Sequence, residues 1–273
     1  MLFDFNAPVD MENINGVPYA YPAPADTPNS NSERTIMSSQ KFASLVILSY
    51  KRPDMLRYSL QSLRAHTPPS EIIVVDDGSK DECWVHLFQL AREGKISTLV
   101  LNGGNNRGVG EGIRRGFRLA AGEYLVKLDA DLEYTDGWLE KAMMAMERYS
   151  DIGCIGWFDY HTYVPTDPRF NKLEVRALDN KHSVWIVDDF VSSAMMLRAS
   201  DYRAFGEIDS GSEAFAEDVM YKQKLQAAGM KLAILSPDLI RNLGFGLGKS
   251  TVVVADEKGA PRVADIHRDV YLV

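Results

Sequence analysis

The chain has almost no cysteine. Its two cysteines, Cys83 and Cys154, lie far apart and in no metal-binding spacing. A disulfide framework and a cysteine zinc site are therefore excluded, and both thiols are expected reduced and buried, as in a cytoplasmic protein. No apolar run approaches the ~18–20 residues of a membrane helix, so no membrane span is expected. The N-terminus, Met-Leu-Phe-Asp-Phe-Asn, has no cationic segment followed by an apolar core, so no signal peptide is expected. A basic excess is also missing. The formal charge of −8 and pI near 5.2 argue against broad binding to nucleic acid or anionic membranes. There is no internal repeat.

What is present is ordinary globular material. Of 273 residues, 45% are hydrophobic and 25% charged, enough for one large domain or two intimate ones. Residues 1–40 differ from the rest. Pro8, Pro18, Pro22, Pro24 and Pro28 and the run Asn29-Ser30-Asn31-Ser32 predict an extended or partly disordered arm. Its aromatics (Phe3, Phe5, Tyr19, Tyr21) can pack on the domain or on a second copy in a homo-oligomer. Residues 244–273, with Gly244, Gly246 and Gly248, read as a loop and C-terminal extension.

Between these ends, apolar runs alternate with helical patterns. Strands are expected at Phe42–Ser49, Glu71–Val75, Ile96–Leu101 and from Tyr124. Pro53 opens a helix carrying Leu56, Leu60 and Leu63, and Pro68-Pro69 ends it. Cys83–Arg92 reads as a second helix, and a third carries Arg114, Arg115 and Arg118. This alternation predicts a doubly wound, mostly parallel α/β sheet with helices on both faces. Beyond Asp131 the pattern loosens. Asp136 is the expected N-cap of a helix through Met146. Strands follow at Ile152–Phe158, Val184–Val187, Ala194–Leu197, Leu232–Leu235 and Leu239–Ile240. A helix is expected at Phe215–Ala228, closed by Gly229.

The central stretch is Tyr124–Tyr134, an apolar run ending in Asp129-Ala130-Asp131. In extended chain, residues i and i+2 share a face, so both carboxylates arrive together at a strand's C-terminal end. Open α/β sheets bind ligands there. Two hard oxygen ligands suit Mg2+ or Mn2+ beside a diphosphate. Asp76-Asp77-Gly78-Ser79 ends another strand, where the acids either cap a turn or accept bonds from a ligand. Asn106-Arg107-Gly108 allows close backbone approach at a helix start, which favours anions.

Four segments, in order and spacing, resemble glycosyltransferase family 2 with its GT-A fold. They are Val74-Val75-Asp76-Asp77-Gly78-Ser79, Asn106-Arg107-Gly108, Leu128-Asp129-Ala130-Asp131, and Ala216-Glu217-Asp218-Val219 followed by Gly229. The resemblance implies a nucleotide-binding half (41–131) and an acceptor-binding half (132–243), the second holding a smaller mixed sheet. It implies a nucleotide-diphosphate sugar as donor, UDP-linked, and a hydroxyl acceptor that is a glycan, lipid-linked sugar, protein, metabolite or nucleic acid. Ser49, Tyr50, Arg52, Asp76, Asp77, Asn106, Gly108, Arg114, Asp129 and Ala130 would line the donor, with Arg114 or Arg115 as cation for the diphosphate. Asp129 and Asp131 would hold the metal. A His common in the family as third ligand is replaced here by Asn242, leaving Asn242, His267 or neither. Asp218 would be the general base of an inverting transfer, with Glu217 beside it. Trp157, Tyr160, Tyr163 and Trp185 lie between the acidic pairs, as core or as an acceptor platform. The competing readings are a non-catalytic nucleotide-sugar binder and a sugar-phosphate nucleotidyltransferase. The second would require a glycine-rich loop after the first strand, where Ser49-Tyr50-Lys51-Arg52-Pro53 has no glycine.

Overall fold

The computed structural model describes residues 19–22, 42–79, 82–102, 106–157, 174–190, 192–208, 217–237, 239–243, 251–255 and 261–265. Its frame is one ten-stranded sheet. Four parallel strands form its first half: β2 (Ala43–Ser49), β3 (Glu71–Asp76), β4 (Thr98–Leu101) and β5 (Tyr124–Asp129), in the order β4-β3-β2-β5. Beyond β5 the sheet becomes mixed. β10 (Ala194–Arg198) runs antiparallel between β5 and β7 (Ile152–Trp157). β11 (Lys231–Ser236) is parallel to β7, and β9 (Ser183–Val187) and β8 (Val175–Ala177) complete that edge as antiparallel strands. The strands of the second half thus continue the first sheet. A separate two-stranded sheet pairs β6 (Leu132–Tyr134) with β12 (Ile240–Asn242).

Within the N-terminal arm, β1 (Tyr19–Pro22) pairs antiparallel with β4 and so extends the sheet's other edge. In the C-terminal region, where the sequence reads as a loop, β13 (Thr251–Ala255) and β14 (Pro261–Asp265) form an antiparallel pair.

Alternation along each central strand feeds two separate cores. Ala43, Leu45 and Ile47 of β2 point to one face, with Tyr124, Val126 and Leu128 of β5. Three helices cover that face: α1 (Pro53–His66), α2 (Glu82–Arg92) and α4 (Trp138–Arg148). Val46 and Leu125 point the other way. There they meet α3 (Val109–Leu119), α5 (Ala199–Phe205) and α6 (Glu217–Ala227). The predicted stripe Leu56, Leu60 and Leu63 is fully buried, each side chain contributing about 1.5–3 kcal/mol by leaving water.

Asp136 does not cap α4. The cap position is Gly137, in the left-handed region at φ 81°, and the Asp136 carboxylate instead meets His66 Nδ1 at 2.7 Å. Trp138 fixes the helix start. It is fully buried, and its Nε1–H donates to Thr67 Oγ1 at 2.8 Å.

Candidate active site

The parallel register brings three predicted residues to one sheet edge. Ser49 pairs with Asp76, and Leu48 pairs with Asp129. Asp76 and Asp129 therefore flank β2 at its C-terminal end, about 10 Å apart across two strand spacings.

The two neighbouring acids after β3 have different tasks. Asp77 is consumed by the chain: its Oδ1 accepts from Asn102 Nδ2 and Arg107 N, and its Oδ2 from Gly108 N, each at 2.8 Å. It therefore shapes the Asn106–Gly108 loop. Gly108 sits at φ 87°, a conformation that favours glycine, and Asn106 Oδ1 braces it with a further bond from Gly108 N. Asp76 is fully buried. Its Oδ1 accepts from Ser79 N and Trp84 Nε1, while its Oδ2 has no hydrogen-bond partner among the described residues. Burial pushes this carboxyl up from the usual range. A buried acceptor without a donor costs about 1–3 kcal/mol, so an unpartnered oxygen at a ligand edge marks a place for one. Ser49 is buried and its carbonyl accepts from Asp77 N, whereas Tyr50 is exposed at the rim.

Asp129 and Asp131 lie on either side of the buried Ala130. Lys127 Nζ reaches Asp129 Oδ1 at 2.6 Å, and Arg52 Nη1 reaches Asp131 Oδ2 at 2.9 Å. Burial, then repulsion from Asp129, pushes the Asp131 carboxyl up to about 6, against the opposing pull of Arg52 and Lys127. Burial thus disfavours the Asp131 charge even with both cations in place. That donor set fits Mn2+ or Mg2+, which take hard oxygens and share their sphere with phosphate and water. Among the described residues no cluster of three or more His, Cys, Asp or Glu side chains is arranged to hold a metal. Asn242 lies beside this pair: it faces Leu132 across the small sheet and its Nδ2 donates to Ser193 Oγ at 3.0 Å. Leu243 N binds the Asp131 carbonyl, so β12 holds the Asp-x-Asp turn from behind. His267 lies outside the described residues.

Of the three α3 arginines, Arg114 and Arg115 are engaged by Glu111. Arg114 binds it alone, while Arg115 also donates to Asn102 Oδ1 at 2.6 Å and so joins the Asp77 network. Arg118 pairs with Glu207. Trp157 is core: it is buried, lies 5.4 Å from the Trp138 ring and donates to the Trp138 carbonyl. Trp185 is half-buried and bonds Ser183 Oγ, and Tyr160 and Tyr163 lie outside the described residues.

Asp218 sits in the first turn of α6, half-buried, beside Glu217 in the chain. Its Oδ2 is 3.5 Å from Lys222 Nζ. Lys222 was invisible to pattern reading. It falls at a core-facing helix position among Tyr221 and Leu225, yet carries a charge with 1% exposure. Lys127, alone in an apolar strand, is its counterpart. The sequence signal for both was a lone cation at an apolar position four or two residues from a candidate carboxylate.

The sheet order, with acids at the ends of β3 and β5, defines an α/β protein of the GT-A type. The family model for glycosyl transferase family 2 matches residues 44–205, and the chain belongs to that family. The chain is 34% identical over 82 residues to the dolichol-phosphate mannosyltransferase of Pyrococcus furiosus, covering 30% of this chain and 23% of that protein. It therefore spans under a quarter of that relative's length in the match. Among solved structures it superposes on GalNAc-T7 with UDP, GalNAc and Mn2+ at a TM-score of 0.58, with 16% identity over 75% of this chain and 44% of the other. A mannosyltransferase of Pyrobaculum calidifontis in complex with GDP-Man and Mn2+ gives 0.56, with 15% identity over 72% and 57%. These likenesses show the fold. No helix among the described residues is long and apolar enough to cross a membrane.

Proposed function

We propose that this glycosyltransferase moves a sugar from a nucleotide-diphosphate donor, with UDP as the nucleotide, to a hydroxyl acceptor with inversion. The carrying observation is the sheet edge at which Asp76, with a buried oxygen unpartnered among the described residues, and the Asp129–Asp131 pair stand two strands apart. A nucleoside diphosphate spans that separation. Asp76 Oδ2 accepts a hydrogen bond from the base or ribose, and Asp77 holds the Asn106–Gly108 backbone against the ligand. Asp129 and Asp131 hold Mn2+ or Mg2+, which when bound offsets the charge of the diphosphate leaving group. Arg52, already at Asp131, adds a guanidinium beside that charge. Asp218, with Glu217 next to it, takes the proton of the attacking hydroxyl. In this reading residues 41–131 serve the donor and 132–243 the acceptor.

The structural neighbours named above carry UDP or GDP-Man with Mn2+, which supports the donor class and the metal. The relative named a dolichol-phosphate mannosyltransferase supports testing a polyprenyl phosphate as a second acceptor class, whose ionised phosphate oxygen would attack without a proton for Asp218 to take.

The test is a thermal-shift screen against UDP- and GDP-sugars with and without Mn2+, since a ligand of the native state raises the melting temperature. The expected result is a Mn2+-dependent rise with one donor, and release of its nucleotide on prolonged incubation. A shift without nucleotide release would move the chain to the non-catalytic binders. No shift with any donor overturns the donor site.

A further inference from the structure

The β9–β10 connection is gripped by two buried lysines. From β5, Lys127 Nζ donates to the Ser192 carbonyl at 2.5 Å while pairing with Asp129. From α6, Lys222 Nζ donates to the Phe190 carbonyl at 2.5 Å, pairs with Asp189 Oδ1 at 2.5 Å and lies 3.5 Å from Asp218 Oδ2. Each lysine thus divides itself between a carboxylate and the main chain of one short segment. That segment also touches the donor side directly: Asp129 N binds the Ser193 carbonyl, and Asn242 binds Ser193 Oγ.

We propose that Lys222 is a positioning residue for Asp218, tying the first turn of α6 to the segment whose other end is anchored at the Asp-x-Asp pair. The proposal rests on the reading of Asp218 as base. An ammonium has three proton donors. Two make short bonds to Asp189 and Phe190. The third direction is left toward Asp218, at a distance beyond a normal hydrogen bond. Asp218 is therefore attracted and aimed without its lone pairs being consumed. One cation faces two carboxylates, so one negative charge stays uncompensated and available to receive a proton. The grip is rigid. The Lys222 ammonium lies 4.7 Å from the centroid of the buried Phe190 ring. That ring rests on Gly156 of β7, where any Cβ would come within 2.4 Å of it. Among the described residues the buried Cys154 thiol of β7 also lies close to the ammonium, and burial pushes it up and so keeps it neutral. The stem of Lys222 fills a core position that methionine also fills, so packing alone does not require the charge.

The experiment measures steady-state nucleotide release from the donor selected by the thermal screen, with Mn2+ and water as acceptor. The proteins are wild type, Lys222→Met, Asp189→Asn, Asp218→Asn and Lys222→Met/Asp218→Asn. Lys222→Met is expected to lower kcat about tenfold to a hundredfold with the donor KM unchanged, as misplacement of a reacting group does. In the Asp218→Asn background Lys222→Met should then cost little more, because a residue that acts through Asp218 has nothing left to position. A purely structural lysine would lower the melting temperature, leave kcat of the folded enzyme unchanged and act additively with Asp218→Asn; that result overturns the proposal. If Lys222→Met does not fold, Asp189→Asn decides. Its side chain is 61% exposed, so its loss threatens no core. It frees the ammonium to close on Asp218 and should lower kcat several-fold at constant KM; an unchanged kcat overturns the proposal. Wild-type turnover in Asp218→Asn removes the underlying base assignment instead, whatever Lys222 does.

Discussion

Asp131 is under two opposed demands. As the proposed metal ligand it must be ionised, but its burial and the neighbouring Asp129 disfavour the charge and push its carboxyl up from 3.8 to about 6. The sign follows directly. A folded-state value above the unfolded one means the native protein binds the proton more tightly. This group's contribution to stability is then complete below about 4 and is lost as pH rises through about 6. Asp131→Asn should therefore melt higher than wild type at pH 8 without metal, and show a flatter dependence of melting temperature on pH between 4 and 6. In a domain of this size each ~1 kcal/mol moves the melting temperature by roughly 2–4 °C. The same variant should lose the Mn2+-dependent donor shift. Donor binding by wild type should weaken as pH falls below about 6, where Asp131 takes up its proton. Calorimetry across pH, with and without Mn2+, reads all of these. A destabilised Asp131→Asn at pH 8 would show that Arg52 compensates the charge fully.

At the scale of elements, α3 is held to the sheet by two glycines one turn apart that behave differently. A Cβ on Gly116 would come within 2.2 Å of Val46 Cγ1, a branched side chain with no freedom to withdraw from a filled strand face. A Cβ on Gly112 would come 3.0 Å from Leu48 Cδ2, the tip of a side chain that can turn aside. Alanine gains about 1 kcal/mol over glycine inside a helix. Gly112→Ala should accordingly be near neutral in urea unfolding. Gly116→Ala should lose about 1–3 kcal/mol from overpacking, and should weaken donor binding, since α3 carries the Gly108 cradle. Equal midpoints for the two variants would contradict the close approach to Val46.

The same elements show what pattern reading can and cannot reach. The four parallel strands were legible because each is a largely apolar run stopped by polar residues, and those stops carry the proposed site. β6, β8 and α5 were not, because three to seven residues are too few for a period to register. Asp136 looked like a cap, but the buried Trp138 sets the helix start one residue later, at Gly137. The division of labour between Asp76 and Asp77 depends on Asn102 and Arg107, which lie 25 and 30 positions from Asp77. Lys127 and Lys222 find their carbonyls 65 and 32 positions away. No local pattern encodes such distances. Motif order picked out the carboxylates and Arg52; for the two buried lysines the local signal is a lone cation in an apolar run, and their main-chain partners came only from the tertiary structure.

Across the whole molecule, the parallel half of the sheet would end at β4, a short strand beside the donor cradle, were it not for β1. β1 runs antiparallel along β4 from Tyr19 to Pro22, and the register pairs Tyr19 with Leu101 and Pro22 with Thr98. An uncovered strand of apolar residues presents a row of unpaired backbone groups to any other strand. β4 is such a strand, with Leu99, Val100 and Leu101 all buried. The Pro22 that closes β1 suits an edge position, since it has no N–H to offer a further strand. Deletion of residues 1–41 should thus leave the donor site chemically complete, because Ser49, Asp76, Asp129 and Asp131 all lie beyond it. The shortened chain should keep the Mn2+-dependent donor shift but sediment as concentration-dependent oligomers, through pairing of exposed β4 edges. Replacement of the half-buried Thr98 at the start of β4 by lysine in that chain should restore the monomer if the edge is the contact. A monomeric deletion variant with full stability would show that β1 adds a strand to the sheet without protecting it.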